Sequence, residues 1–466
     1  MRSCVDAQGQ LMGAADADTA SLYDKAVTAY LGARADTRQQ LAKVLEADPS
    51  CVLGHCFDGY LSMLASRRSS VGAASQALER ARSAARETTL TGRERWHLDA
   101  LEAWSTGDMR RAADLWNDLL QNHPRDLVAL KVSQFVLSYL GESARMRETT
   151  ERVLGAWDPS IPGYGFVLGC HAYALEECGQ YSMAEDLGRR AVEINPADIW
   201  AAHAVAHVKE MRGSIRQGIA WISSLVPEWK ECSNFALHLR WHEALYHLEL
   251  DAHDRVLGLY DREVRATPTD EYLDITNAAS LLWRLEQAGV TVGMRWLELA
   301  ERARVLGEDH VLVFVDAHYV MALAAAGDAS AVSAFLESCE RFARESAATE
   351  GRVMREVGLP LIRAVLAHRR GSFGEAFDLV YPIRHRIREI GGSHAQRDVF
   401  HQMLIDSAIR GRRLAEATEL VTERVESRPG NIWGWKHRAA VLDLSGAGGA
   451  RAAHKRFAEL QRGAEA

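Results

Sequence analysis

Glycines recur at a fixed distance in the first half of this 466-residue chain. Gly107 and Gly141 are 34 residues apart, and so are Gly179 and Gly213. A small residue follows three of these glycines five positions later, at Ala112, Ala184 and Gly218. Because glycine readily adopts the left-handed conformation that ends a helix, and because small side chains let two helices pack closely, the period predicts repeated helix–turn–helix units.

Apolar residues inside these units recur every three or four positions, which is typical of amphipathic helices. The clearest unit spans residues 93–126, where Ala112, Trp116 and Leu119 share one face. Patterns that indicate β-strands are scarce. Since 34 residues is the period of tetratricopeptide repeats, we expect an all-α fold, a tetratricopeptide-type right-handed helical-repeat solenoid (an α-α superhelix).

The strength of the repeat divides the chain into three parts. Residues 1–92 are expected to form an N-terminal helical region, and residues 93–275 form tetratricopeptide-like repeats that carry the functional site. Residues 276–466 are expected to form degenerate C-terminal helical repeats. Stacked helix pairs leave a concave groove lined by the first helix of each unit, so we expect function to reside in that groove.

Charge and motifs exclude several classes of protein. A formal net charge of −8 disfavours nucleic-acid binding. No signal peptide or membrane-length apolar run is evident, and the seven cysteines lack a CxxC pair, so we expect a cytoplasmic protein that does not bind membranes. No phosphate-binding loop or GxGxxG fingerprint is present, so no nucleotide cofactor is expected.

Two helices in the middle of the chain each carry a pair of histidines four residues apart. His203 and His207 form one pair, and His238 and His242 form the other. Side chains at this spacing lie one above the other on a helix face. We predict that the four imidazoles bind a divalent metal ion, with zinc, iron or manganese as candidates, and that Glu210 is an oxygen ligand or general base.

The repeat register places both pairs on the groove side. If Gly213 is position 15 of its unit, the unit starts at Ile199 and its histidines fall at positions 5 and 9. Counting back from Pro268 starts the next unit near Leu237 and puts its histidines at positions 2 and 6. Neighbouring first helices would therefore present imidazoles toward one concavity.

Other residues are expected to complete a pocket around the metal. The predicted set comprises Asp316 and His318 as catalytic or substrate-contacting groups, Trp200, Trp241 and Tyr246 as an apolar wall for the substrate, and Arg397 as an anion contact near the start of a helix.

The sequence leaves several interpretations of these histidines open. Among 18 histidines, about one pair at four-residue spacing is expected by chance, so spacing alone does not decide between them. The groove can hold a metal-dependent enzyme that activates water, oxygen or a carbonyl, or a metal-free pocket for a small molecule. Alternatively, the protein is a non-enzymatic scaffold that binds a peptide or protein partner. The oligomeric state is not indicated.

Six segments carry a pattern more specific than the repeat itself. They are WAAHAVAHVKEM at 200–211, HLRWHEALYHLE at 238–249, AASLLWRLE at 278–286, LVFVDAHYVMAL at 312–323, EVGLPL at 356–361 and GGSHAQRDVF at 391–400. Through these segments the chain resembles the tetratricopeptide repeat protein 38 family over roughly residues 90 to 420. The resemblance implies a soluble helical-repeat protein, and it implies no particular reaction.

Overall fold

In the computed structural model, which describes residues 3–465, the chain is nearly all helix. The strands within this range form one small antiparallel hairpin, in which β1 (Ser3–Val5) pairs with β2 (Leu11–Gly13). Sequence patterns did not predict this hairpin. Its turn is held by Asp6, whose Oδ1 accepts from the backbone N–H groups of Gln8 and Gln10, and such local bonds need no strand propensity.

Helices follow one another as hairpins along the whole described chain. The first eight are α1 (Ala17–Leu31), α2 (Thr37–Ala47), α3 (Val52–Met63), α4 (Arg68–Glu87), α5 (Gly92–Ser105), α6 (Met109–Asn122), α7 (Leu127–Tyr139) and α8 (Ser143–Leu154). The middle eight are α9 (Tyr164–Glu177), α10 (Tyr181–Ile194), α11 (Ile199–Arg212), α12 (Ile215–Leu225), α13 (Phe235–Glu249), α14 (His253–Leu259), α15 (Tyr272–Gln287) and α16 (Arg295–Leu306).

The C-terminal part continues the series. Its helices are α17 (Val313–Ala326), α18 (Ala329–Glu345), α19 (Thr349–Val353), α20 (Leu359–Arg369), α21 (Phe373–Val380), α22 (His394–Arg410), α23 (Leu414–Ser427), α24 (Ile432–Ser445) and α25 (Ala450–Glu465). Short 3₁₀ segments at Val226–Trp229 and Tyr381–Ile390 and π segments at Tyr260–Val264 and Met354–Gly358 extend some of these helices.

The turns inside the helix pairs confirm the repeat. The four spaced glycines have left-handed φ values of 90°, 67°, 76° and 69°, at Gly107, Gly141, Gly179 and Gly213. Asp251 and Arg412 take the same conformation, with φ of 53° and 61°, in the turns after α13 and α22. Because non-glycine residues fill these turns, the glycine signal fades in the later units although the helix pairs persist.

The first helices of successive pairs form a continuous inner layer. Helix α9 contacts α11, α11 contacts α13, α13 contacts α15 and α15 contacts α17, while each second helix packs between its neighbours. This arrangement confirms the tetratricopeptide-type helical-repeat solenoid. The inner helices are apolar and buried, yet none of the described helices has the length and apolar character needed to cross a membrane.

The C-terminal repeats return to the middle of the inner layer. The backbone N–H of His394, at the start of α22, donates to Glu177 Oε1 over 3.0 Å at the end of α9. A Cβ atom on Gly213 would lie only 2.3 Å from the carbonyl oxygen of Gly430. The concave side near α9 and α11 is therefore filled by other repeats, whereas the sequence led us to expect an open groove.

Candidate metal centre and adjoining cavity

The four predicted histidines meet between α11 and α13. Nε2 of His203 lies 3.0 Å from Nε2 of His238, and Nε2 of His207 lies 3.1 Å from Nε2 of His242. The His238 and His242 Nε2 atoms are 3.3 Å apart. Each imidazole is at most 2% exposed, and a set of ring nitrogens, one from each residue, lies within 4.8 Å of one another.

These distances match the geometry of one small cation. A tetrahedral zinc ion with nitrogen ligands at about 2.05 Å holds those nitrogens about 3.3 Å apart. The Nε2 separations of 3.0–3.3 Å are close to that edge length. The repeat produces this match, because each facing pair joins residues 35 positions apart in neighbouring units.

The facing pairs also correct the predicted repeat register. His238 faces His203, so the two residues occupy the same position in their repeat units. The second unit therefore starts three positions before Leu237, the start that the sequence predicted. The π segment at Tyr260–Val264 and the loop after it separate Pro268 from the helix pair. Proline there does not mark the end of a regular 34-residue unit, which is why counting back from it gave the wrong start.

Two imidazoles are oriented by carboxylates on their outer nitrogens. His207 Nδ1 lies 3.1 Å from Glu176 Oε2, and His242 Nδ1 lies 3.2 Å from Glu210 Oε2. An ionised carboxylate can only accept, so each Nδ1 carries a hydrogen and donates it. When both rings are neutral, their Nε2 atoms present lone pairs to each other, an arrangement that a cation between them would stabilise. A hydrogen bond from the outer nitrogen to a carboxylate is typical of metal-bound histidine.

The other two imidazoles differ at their outer nitrogens. His238 Nδ1 lies 3.2 Å from the side-chain oxygen of Asn277, so it follows the same pattern with a neutral acceptor. His203 Nδ1 has no hydrogen-bond partner among the described residues, and the His203 ring stacks on Tyr173 with centroids 5.6 Å apart. Three of the four rings are thus held in the tautomer that turns Nε2 toward the centre.

Burial and neighbouring charges act differently on the four rings. Burial, reinforced by the neighbouring imidazoles, lowers the pKa of three of them: His203, His238 and His242. Burial also acts to lower the pKa of His207, but the carboxylates of Glu176 and Glu177 outweigh it and leave that pKa raised. The centre therefore combines neutral imidazoles on one side with negative charge behind His207.

Sequence reasoning missed Glu176, although a signal for it was present. Glu176 and Glu210 are 34 residues apart, at the same position of neighbouring units. Glu176 lies in the last turn of α9 and is fully buried, whereas the side chain of Glu210 is 16% exposed. Comparing equivalent positions of adjacent repeats would have identified both acceptors.

The predicted aromatic residues surround the centre but do not form one wall. Trp241 stacks on His238, with centroids 5.2 Å apart and planes 14° apart. Trp200 contacts the opposite side of the centre, 5.5 Å from the His203 ring, and lies beneath the ammonium group of Lys131. The Tyr246 hydroxyl donates to the Ala206 carbonyl over 2.6 Å.

Asp316 and His318 lie away from the four histidines. Asp316 Oδ1 is 3.1 Å from Nδ1 of His310, whose Nε2 is 2.9 Å from the Ser338 hydroxyl. His318 Nδ1 donates to the carbonyl of Phe314 over 2.8 Å, and burial lowers the pKa of His318 to about 3. In this structure both residues serve other contacts within the C-terminal repeats.

Arg397 reaches the edge of the centre through one intermediate residue. Its Nη2 atom is 3.5 Å from Glu177 Oε2, and Glu177 Oε1 is 3.9 Å from His207 Nδ1. The helix start that carries Arg397 has the predicted capping box, in which Ser393 and Gln396 exchange hydrogen bonds. Arg397 thus helps to hold α22 against α9.

A polar cavity of about 310 Å³ adjoins the centre on the side of Glu210. Its walls come from helices far apart in the sequence, and the residues that define it are Glu210, Tyr246, Arg284, Asp398, Arg428 and Trp433. Glu210 is shared, because its Oε2 atom accepts from His242 while its side chain lines the cavity. The sequence predicted a pocket with Glu210 and Tyr246 in its walls, but it did not predict the contributions of Arg284, Arg428 and Trp433.

Comparison with known proteins gives only distant likenesses. No protein-family model matches the chain. Among solved structures, the chain is similar to a human IFIT1 dimer with PPP-AAAA, at 13% identity and a TM-score of 0.39 over 96% of each chain. It is also similar to a Rap protein complexed with competence and sporulation factor, at 12% identity and a TM-score of 0.38, over 88% of this chain and 99% of that one. Such distant likenesses do not indicate what this chain binds.

Proposed function

We propose that this helical-repeat protein binds one divalent transition metal ion through His203, His207, His238 and His242. The observation that carries the proposal is the set of facing Nε2 atoms at 3.0–3.3 Å. Hydrogen bonds from the outer nitrogens to Glu176 and similar acceptors support it, since they leave the inner lone pairs available.

Zinc fits this donor set best among the metals considered. Imidazole nitrogen suits zinc, copper, iron and nickel, whereas manganese prefers oxygen donors. The short Nε2 separations within a set of four imidazoles favour a four-coordinate ion such as zinc over metals that require six ligands. Four imidazoles complete a tetrahedral shell and leave no position for substrate, as in structural zinc sites.

The small-molecule site belongs beside the metal rather than on it. The cavity next to Glu210 has a volume within the range of small-ligand sites. Glu210 would then position His242 and line the ligand site, which replaces its predicted role as general base. A metal-dependent reaction would require an additional coordination position at the metal. A peptide scaffold would require an open groove, and α22 lies against α9 at this point.

Membership of the tetratricopeptide repeat protein 38 family is part of this proposal. It rests on the segments at 200–211, 238–249 and 312–323. The first two of these segments supply all four proposed ligands, so the resemblance and the metal centre concern the same residues.

Elemental analysis tests the metal centre directly. The full chain, purified without chelators and again after supplementation with zinc or iron, is expected to hold about one zinc per chain. His242→Ala removes one ligand and is expected to lose stoichiometric metal. His318→Ala is the matched control, because His318 is equally buried but lies outside the centre.

Two outcomes would overturn the proposal. One is wild-type protein that contains no stoichiometric metal after supplementation. The other is a His242→Ala variant that retains as much metal as the His318→Ala control. A cobalt-substituted sample adds a test of geometry, because tetrahedral cobalt absorbs visible light far more strongly than octahedral cobalt does.

A further inference from the structure

The cavity beside the metal centre contains a buried cation without an anionic partner. Arg284, on α15, is only 3% exposed and lines the cavity. Its Nη1 atom donates to the Ser280 carbonyl over 3.2 Å, and its Nη2 atom donates to the Ala395 carbonyl over 2.9 Å. Among the described residues it forms no ion pair. A buried charge of this kind is costly unless an opposite charge compensates it.

Arg284 still has hydrogen-bonding capacity. A guanidinium carries five N–H donors, and the two carbonyl contacts leave others available. Burial lowers the pKa of Arg284 to about 10, so the group remains protonated at pH 7. On its other side it lies 5.7 Å from the Trp241 ring, which in turn stacks on His238. Packing against Trp241 therefore fixes the guanidinium at the wall between centre and cavity.

Asp398, a carboxylate that also lines the cavity, already forms ion pairs with two other arginines. Arg424 donates to both of its oxygens, over 2.7 and 2.9 Å, and Arg428 lies 3.2 Å away. Burial acts to raise the pKa of Asp398, but these arginines outweigh it and hold that pKa well below its usual range. The ionised carboxylate of Asp398 is thus paired with Arg424 and Arg428, and it forms no ion pair with Arg284.

The remaining acidic residues deep in the cavity are also occupied. Glu210 accepts from His242. Glu249 accepts from the Asn431 side chain over 2.7 Å and from the Trp433 backbone over 3.1 Å. Burial raises the pKa of Glu249 to about 7, so this group supplies only part of a negative charge. Neither of these two carboxylates forms an ion pair with Arg284, whose side-chain hydrogen bonds go to the carbonyls of Ser280 and Ala395.

We propose that this cavity binds a small carboxylate whose anionic end pairs with Arg284 and whose apolar body packs against Trp433 and Leu245. The inference rests on the proposed function of the cavity as a small-molecule site, and it names the chemical class of the ligand. Trp433 and Leu245 both line the same cavity as Arg284, so charged and apolar contacts are available to one molecule.

A carboxylate matches the site better than a phosphate does. The planar guanidinium fork pairs with the two oxygens of a carboxylate. One uncompensated cation calls for one negative charge, whereas a phosphate dianion would bring two charges into a buried site. The cavity volume of about 310 Å³ is at the lower end of small-ligand sites, which limits the body of the ligand to a few carbon atoms or one ring.

The test compares probes of one shape and different charge on the metal-loaded full chain. Isothermal titration of wild-type protein would use phenylacetate, phenylacetamide, phenethylamine and inorganic phosphate. We expect phenylacetate to bind at least about tenfold more tightly than the amide or the amine, because only it supplies the missing charge. Arg284→Met is expected to remove that preference. Arg295→Met is the control, since Arg295 pairs with Asp261 outside the cavity.

The outcomes separate this inference from the function on which it rests. Equal affinity for all three ring-containing probes would overturn the carboxylate assignment and leave the ligand site standing. Tighter binding of phosphate than of phenylacetate would also overturn it. Binding of none of the probes would overturn the ligand site as well, while zinc content measured on the same samples judges the metal centre separately. The wild-type comparison stands even if Arg284→Met does not fold.

Discussion

Removing the carboxylate of Glu176 tests how the proposed metal centre is organised. Its Oε2 atom is the hydrogen-bond acceptor of His207 Nδ1, at 3.1 Å, and its side chain is fully buried. The other nearby carboxylate oxygen, on Glu177, is 3.9 Å from that nitrogen, too far to replace it. In Glu176→Ala the His207 ring would no longer be held in the tautomer that points Nε2 inward.

The magnitude follows from the position of Glu176 behind His207, a proposed metal ligand. Loss of such an acceptor costs about 10- to 100-fold in metal affinity, which corresponds to about 1.4–2.7 kcal/mol. Glu176→Gln keeps an oxygen acceptor and loses the charge, so a smaller loss is expected. Zinc affinity would be measured by competition with a chromophoric chelator at neutral pH, on samples shown to be folded.

A second buried glutamate provides the control. Glu350 is 4% exposed and accepts from the backbone of Val313 over 2.8 Å, within the C-terminal repeats. Glu350→Ala is expected to lower stability and leave zinc affinity unchanged. If Glu176→Ala bound zinc as tightly as wild type, the argument that the outer hydrogen bond sets the tautomer would be refuted.

Other consequences of the structure concern stability. Burial acts to raise the pKa of Asp126, but its ion pair with Arg93 outweighs this and holds that pKa well below its usual range. Asp126→Asn should therefore lower the free energy of unfolding by about 3–5 kcal/mol at pH 7, measured by chemical unfolding. The difference from wild type should shrink as the pH falls below about 4, where Asp126 of the unfolded chain becomes protonated. Burial lowers the pKa of Lys131 to about 8. Between pH 8 and about 10.4 the unfolded chain binds a proton at Lys131 that the folded chain has lost. The free energy of unfolding of wild type should therefore rise by up to about 3 kcal/mol relative to that of Lys131→Met across this pH range. A difference between the two proteins that does not change with pH would contradict this assignment. The new Cβ of Gly213→Ala would clash with the carbonyl of a facing turn, whereas that of Gly179→Ala would have no atom within 4 Å. Melting curves should therefore show a larger loss of thermal stability for Gly213→Ala than for Gly179→Ala.

The repeat architecture and the cluster of four histidines could be predicted from local patterns. Glycine spacing indicates a turn within each helix pair, and histidine pairs on neighbouring first helices can face each other when they occupy equivalent repeat positions. To predict which histidines face each other, the repeat register must be known. Counting back from Pro268 gave the wrong register, because a π segment precedes that proline. Asp251 and Arg412 show how a left-handed turn without glycine hides a repeat from sequence.

The cavity and Arg284 could not be predicted in the same way. Arg284 contacts the carbonyl of Ala395, 111 residues away, and Glu210 shares a cavity with Trp433. Contacts of this kind depend on the accumulated rotation between repeats along the superhelix. No short sequence pattern encodes the total rotation between distant repeats. A site formed by residues from distant repeats can therefore be recognised only in the three-dimensional structure.

The contact between Gly213 and Gly430 changes the mechanical character of the solenoid. An open stack of helix pairs lengthens under tension as the angle between neighbouring repeats widens, and it behaves as a spring. Here the turn after α11 packs against the turn before α24, and the start of α22 is hydrogen-bonded to the end of α9. These contacts join repeats that are far apart in the sequence and close one coil of the solenoid. We therefore expect a force applied to the two ends of the chain to strain these contacts before the repeats between them separate.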